Sequence, residues 1–217
     1  MKKALIAILL LSVSVTANAQ RDKSRTWEWS FAALYQESKN MSSENGSSLN
    51  IDSEVGFGFN IGYNWTDHFT IGVDLDFLRP DYTATLVEDS PVPSTTVINH
   101  EFSQFNGRIK ATYNFLEGPF RPFVEAGLGW SYFDSNVADG PPITGCYWHP
   151  WWGYICSNFY STFTETTFTY GIGVGFKYQF AGDTFLKLNY NVWELDGVGA
   201  AGNSNLTGAR LEYGWNF

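Results

Sequence analysis

The chain has 217 residues, enough for one all-β domain. Charged residues make up only 16% and aromatics 18%, a balance that suits a surface in contact with a membrane. Its 13 basic and 22 acidic residues give a net charge of −9, which argues against nucleic acid as a partner.

Residues 1–19 read as a targeting segment. Lys2 and Lys3 form a basic region, residues 4–11 are apolar, and Ala17-Asn18-Ala19 is an A-x-A cleavage site. The pattern predicts a secretory signal peptide over 1–19, with residues 20–217 as the mature domain. The alternative is a retained membrane helix, but Ser12, Ser14, Thr16 and Asn18 interrupt the apolar run. No later stretch approaches the ~18 apolar residues a spanning helix needs. A mature chain that crosses a membrane would therefore do so as a barrel.

Eight strands follow in order. The first covers 27–36, with Trp27, Trp29, Phe31, Ala33 and Tyr35 on one face. The second and third cover 55–65 and 69–77, joined by a turn at 66–68. Val55, Phe57, Phe59, Ile61, Tyr63 and Trp65 share one parity, and Phe69, Ile71, Val73, Leu75 and Phe77 repeat it. The remaining five cover 102–115, 122–133, 163–180, 185–193 and 206–217. A period of two places alternate residues on opposite faces of a sheet. The apolar parity of all eight strands comprises 44 positions, none of them charged. Chance at 16% would place about seven charges there. A charge at mid-bilayer on a barrel's outer face costs roughly 2–4 kcal/mol, so lipid would impose this exclusion.

Connections alternate in length. Segments 38–53, 79–101 and 134–162 are long, 66–68, 116–121 and 181–184 are short, and 194–205 is intermediate. The fold class this predicts is an all-β, eight-stranded, antiparallel up-and-down transmembrane β-barrel. Its short turns would be periplasmic and its long loops extracellular. The loops hold much of the acid, including Glu37, Glu44, Asp52, Asp81, Glu88 and Asp89. Such loops would not grip anionic headgroups without divalent cations.

The inward parity carries eleven charges: Glu28, Glu54, Asp74, Asp76, Glu125 and Glu212 against Arg108, Lys110, Lys177, Lys187 and Arg210. Eight strands leave an interior only just wide enough for side chains. Buried charges there must be paired or hydrated. The expectation is a plug of ion pairs; a gated pore is the alternative. Many inward glycines, such as Gly58, Gly127 and Gly173, either make room for long side chains or leave a thin water path.

Cys146 and Cys156 are the only cysteines and lie in the longest loop. In an exported chain they predict a disulfide. A Cys/His metal site with His149 is the alternative, without an evident fourth ligand. Between them stand Tyr147, Trp148, Trp151, Trp152 and Tyr154. These form either a small core over the barrel mouth or a contact surface for lipid, lipopolysaccharide, a ligand or a host surface. Catalysis has little support. No G-x-S-x-G or H-E-x-x-H occurs, and the nearest local Ser/His set is His100 with Ser103. No cofactor or metal is expected.

The chain ends on Leu211, Tyr213, Trp215 and Phe217 at alternate positions. A terminal aromatic with this alternation resembles the signal that outer-membrane barrels present to their insertion machinery. With the signal peptide and eight strands, the chain resembles the small outer-membrane β-barrel family: OmpA-type transmembrane domains, opacity-type surface proteins and the OmpW group. The resemblance implies the outer membrane of a Gram-negative bacterium. It implies lipid, lipopolysaccharide and the barrel insertion machinery as partners, with extracellular ligands or surfaces met by the loops. The leading expectation is a non-enzymatic surface protein anchored by its barrel. A narrow OmpW-like channel for small or apolar solutes is the alternative, and a lipid-modifying enzyme the third reading.

Overall fold

The computed structural model describes residues 23–42, 46–87, 94–197 and 204–217. The expected signal peptide, Glu44, Glu88 and Asp89 lie outside the described residues. Fourteen strands are present among the described residues: β1 (Thr26–Gln36), β2 (Lys39–Ser42), β3 (Ser48–Ile51), β4 (Glu54–Asn64), β5 (Phe69–Leu78), β6 (Asp81–Val87), β7 (Thr95–Glu101), β8 (Ser103–Asn114), β9 (Phe120–Ala138), β10 (Ile143–His149), β11 (Gly153–Phe159), β12 (Thr162–Gln179), β13 (Thr184–Asp196) and β14 (Ser204–Asn216).

Eight of them close an antiparallel barrel in the order β1-β14-β13-β12-β9-β8-β5-β4. β1 closes it by pairing with β14 on one side and β4 on the other, so that Phe31 faces both Tyr213 and Phe59. Closure leaves the barrel wall no free edge strand. The eight barrel strands are the eight that the alternation marks.

The wall separates two chemistries. Outward positions carry exposed aromatic and aliphatic side chains on every barrel strand. At mid-height they are mainly aliphatic, as at Val73, Ala126, Val174 and Leu211, with rings gathered toward both ends. Cross-strand neighbours pack as rungs: Trp29 stacks on Trp215 at 4.8 Å and Phe57 on Phe77 at 5.3 Å. Such pairs fix register between neighbouring strands. Inward positions are buried and largely polar, including Ser30, Asn60, Asn106, Ser131 and Thr169.

The long connections differ from expectation. Segments 38–53 and 79–101 hold β2, β3, β6 and β7, which form a four-stranded sheet in the order β2-β3-β6-β7. Segment 134–162 holds the far end of β9, which runs on to Ala138, and the β10–β11 hairpin. β2, β3 and β6 bury too few positions to show a hydrophobic period, and β7 meets solvent on both faces. β7, with sequence TTVINHE, is exposed at all but one position. Its backbone is satisfied by pairing with β6, while its side chains have no buried side to favour. The extracellular sheet is seated on the barrel rim by Ile51, Tyr82 and Phe102, with Met41, Leu49 and Phe133 packed against them.

Candidate lumen and extracellular contact sites

The barrel strands aim ten of the eleven expected charges into one crowded interior. Four acids and four bases form a continuous layer. Lys110 Nζ lies 2.6 Å from Asp74 and 3.4 Å from Glu125; Lys187 Nζ lies 3.1 Å from Glu125 and 3.8 Å from Glu212. Arg210 bridges Glu212 at 2.8 Å, Asp74 at 3.5 Å and Asp76, and Arg108 meets Asp76 at 3.0 Å. Lys177 and Glu28 form a separate pair nearer the periplasmic end. All ten side chains are at most 7% exposed. Neutral groups complete the layer: Ser30 donates to Glu212 at 2.8 Å, Asn60 to Asp74 at 2.6 Å and Asn189 to Glu125 at 2.7 Å.

Glu54 is the exception. It sits at the end of β4 opposite Gln36, only half-buried, and has no ion pair among the described residues. Without Glu54, the expected set is five acids against five bases inside the wall; a sixth base, Arg121, is also buried at the periplasmic end of β9 and reaches Asp67 at 4.0 Å. Within the layer itself four acids meet four bases, and such pairing is what a low-dielectric interior demands, because an unpaired buried charge is expensive.

Three inward aromatics were missed by the charge-based reading. Trp193 lies under the Arg108 guanidinium at 4.2 Å, Phe185 under Lys177 at 4.0 Å and Phe123 under Lys187 at 4.7 Å. Each is a cation–π contact between buried side chains. The available signal was parity: Phe123, Phe185 and Trp193 occupy inward positions where large apolar residues are otherwise scarce. The inward glycines make room. A Cβ at Gly58 would collide with Asp76, and one at Gly173 with Asn191. Beside Asp76 and Arg108 lies a cavity of about 50 Å³, enough for a few waters.

Turns at the periplasmic end are tied together. Lys23, just ahead of β1, reaches Asp183 in the β12–β13 turn at 2.7 Å, and its backbone N–H donates to Asp67 at 3.1 Å. Beside it, the His68 ring donates from Nδ1 to the Asn114 carbonyl at 2.8 Å, and Nε2 meets Glu117 at 2.9 Å. The Asn114 carbonyl chiefly, and Glu117 with it, raise the His68 pKa above its ordinary 6.5, against a desolvation contribution that lowers it. Protonation thus stabilises the fold fully below pH 6.5, and the gain fades as pH rises through the higher folded pKa. NMR titration of the His68 ring is expected to give a midpoint above 6.5 that falls in Glu117→Gln; an unchanged midpoint would remove Glu117 from the account.

Above the lumen lies an apolar cavity of about 330 Å³, lined by Leu49, Ile51, Tyr82, Phe102, Phe133 and Leu195 among others. Leu206 borders both this cavity and the smaller polar one beneath it. The Tyr82 hydroxyl donates to the Ser135 carbonyl at 3.2 Å, and burial raises its pKa.

Beyond the rim stands the β10–β11 hairpin. Cys146 lies directly opposite Cys156 in its register, and the two are joined by a disulfide. Both sulfurs are consumed in that bond, so neither is available as a thiolate ligand beside His149. The hairpin aromatics do not form a small core over the mouth. Trp148 is 65% exposed, Trp151 82%, Trp152 75% and Tyr154 75%, with Tyr147 also exposed. His149 packs on Trp152 at 4.3 Å and near Trp151 at 5.8 Å, which orders the tip without covering it. Gly153 follows at φ +71°, the left-handed conformation the hairpin turn requires.

His100 and Ser103 are not joined. The His100 Nδ1 accepts from the Glu101 N–H at 2.9 Å instead. Leu211, Tyr213 and Trp215 face outward on β14, and Phe217 exchanges two backbone hydrogen bonds with Trp27, at 2.9 and 2.8 Å.

Among solved structures, the chain is similar to the outer membrane protein OprG from Pseudomonas aeruginosa, with 10% identity and a TM-score of 0.56 over 89% of this chain and 96% of that one. It is also similar to Neisserial surface protein A, with 16% identity and a TM-score of 0.50 over 88% of this chain and 95% of that one. At these identities the likeness is one of fold. No curated protein sequence matches the chain. The outer membrane protein beta-barrel domain matches residues 5–217, and with its closed eight-stranded wall the chain belongs to that family of outer-membrane barrels.

Proposed function

We propose that the protein is a non-enzymatic surface protein of the Gram-negative outer membrane, in which the barrel is an anchor and the extracellular strands carry the contact surface. One observation supports this above the others: the uncharged aromatic tip of the stapled hairpin is exposed, while the lumen beneath is filled by paired charges. Large exposed aromatic patches are characteristic of interaction sites. Holding the hairpin closed by a disulfide lowers the entropy lost when it docks. Cells displaying the full chain should attach to cultured animal cells, and excising 148–154 should abolish that attachment. The excised protein should keep the heat-modifiable gel mobility of a folded barrel. Undiminished attachment would remove the hairpin from the account.

The apolar cavity favours a second reading, a path for small apolar solutes. Its volume is near the lower end of the ~300–1,000 Å³ usual for ligand pockets. That path requires the ion-pair layer below Leu206 to part, which single-channel recording would detect.

A further inference from the structure

The apolar cavity of about 330 Å³ above the lumen has two unlike ends. Ile51, Tyr82, Phe102, Leu195 and Leu206 form a buried end, where no side chain is more than 8% exposed. The one hydroxyl there, that of Tyr82, already donates to the Ser135 carbonyl, so this end asks for no further polar partner. Phe163 and Glu165 form an exposed end. β12 accounts for the carboxylate. Glu165 shares the parity of the buried Thr167 and Thr169, which point into the barrel, and it lies opposite Phe133 of β9, another residue of the cavity wall. Glu165 is the only charged residue lining the cavity, and it has no ion pair among the described residues.

We propose that this cavity binds an alkylammonium ion of about ten to twelve carbons, with its tail toward Leu206 and its ammonium at Glu165. The size follows from the volume. A cavity of about 150 Å³ holds one benzene, so one of about 330 Å³ holds roughly twice that hydrocarbon. The sign of the head follows from Glu165. A fatty carboxylate would set its own charge against that side chain, and the chain's net charge of −9 opposes an anion on approach. A neutral alcohol would fill the buried end equally well and gain nothing at the exposed one. Burial of the tail supplies most of the affinity, and the head supplies the selectivity. Each further methylene should tighten binding about three- to fourfold until the cavity is full. Binding of this kind needs neither docking of the hairpin nor passage through the ion-pair layer below Leu206.

The test titrates the full chain in phosphatidylcholine nanodiscs with decylamine, decanol and decanoate at neutral pH, with empty nanodiscs as the blank. Decylamine should bind most tightly and decanoate at least about tenfold more weakly. Glu165→Gln should weaken decylamine about three- to fivefold and leave decanol unchanged. Glu101→Gln removes an exposed acid that does not line the cavity, and should change none of the three. Leu49→Trp narrows the cavity from its wall and should weaken decylamine and decanol together. Glu165 is exposed, so its replacement leaves the barrel folded and decides the matter even where Leu49→Trp does not fold. Decanoate bound as tightly as decylamine, decylamine binding unmoved by Glu165→Gln, or an equal loss in Glu101→Gln would each overturn the assignment. Decanol bound more tightly than decylamine would overturn it as well, and would mark a site for neutral solutes.

Discussion

Replacing Arg210 by Met should lower the stability of the folded barrel by about 3–5 kcal/mol, read from reversible urea unfolding in lipid vesicles. Arg210 is the bridge of the buried layer. It meets Asp74, Asp76 and Glu212, and its own side chain is 3% exposed. Met keeps much of the volume and removes the charge. Lys110 and Lys187 can still serve Asp74, Glu125 and Glu212, but Asp76 would be left with Arg108 alone. The cost is that of an uncompensated buried carboxylate, so removing the acid as well should restore part of it. Arg210→Met/Asp76→Leu should therefore be more stable than Arg210→Met, a coupling a double-mutant cycle isolates. A loss below about 1 kcal/mol would mean that the layer is hydrated as a surface pair is.

The second large effect lies on the other face of the wall. Val174 is at mid-height on β12, opposite Val124 and Tyr190, and is 59% exposed. In water that exposure would be a liability; in a bilayer it is the expected state of an outward residue. Val174→Arg should cost roughly 2–4 kcal/mol, whereas the same change at Phe168 or Phe180, near the two ends of the belt, should cost about 0–1 kcal/mol. Equal costs at all three positions would contradict the assignment of this face to lipid.

The barrel was legible in the sequence because its two faces obey opposite rules. Lipid excludes charge from positions such as Val73 and Leu211, while the lumen collects it at Asp74 and Arg210, and a period of two separates them. The lumen partners were legible only as a set. Which acid meets which base depends on barrel shear and side-chain reach, and Glu54 fell outside because it stands at the rim. Trp193, Phe185 and Phe123 were hidden among the polar parity, since only their cross-strand position gives them a cation to cover. The extracellular sheet was not legible, because β6 and β7 are satisfied through backbone pairing with little burial of side chains. The hairpin was half-legible. Its cysteines announced a staple, but whether Trp151 and Trp152 fold inward or stand free is decided by packing that composition does not record.

The proposed function has the barrel anchored in the membrane without conducting through it. Single-channel recording of the full chain in planar bilayers tests that most directly. The predicted record is flat, with no discrete steps, because paired charges from Glu125 to Asp76 cross the lumen and the cavity beside Asp76 and Arg108 is about 50 Å³. Reproducible steps whose size changes in Arg108→Ala would contradict it and would turn the same ion pairs from a plug into a gate.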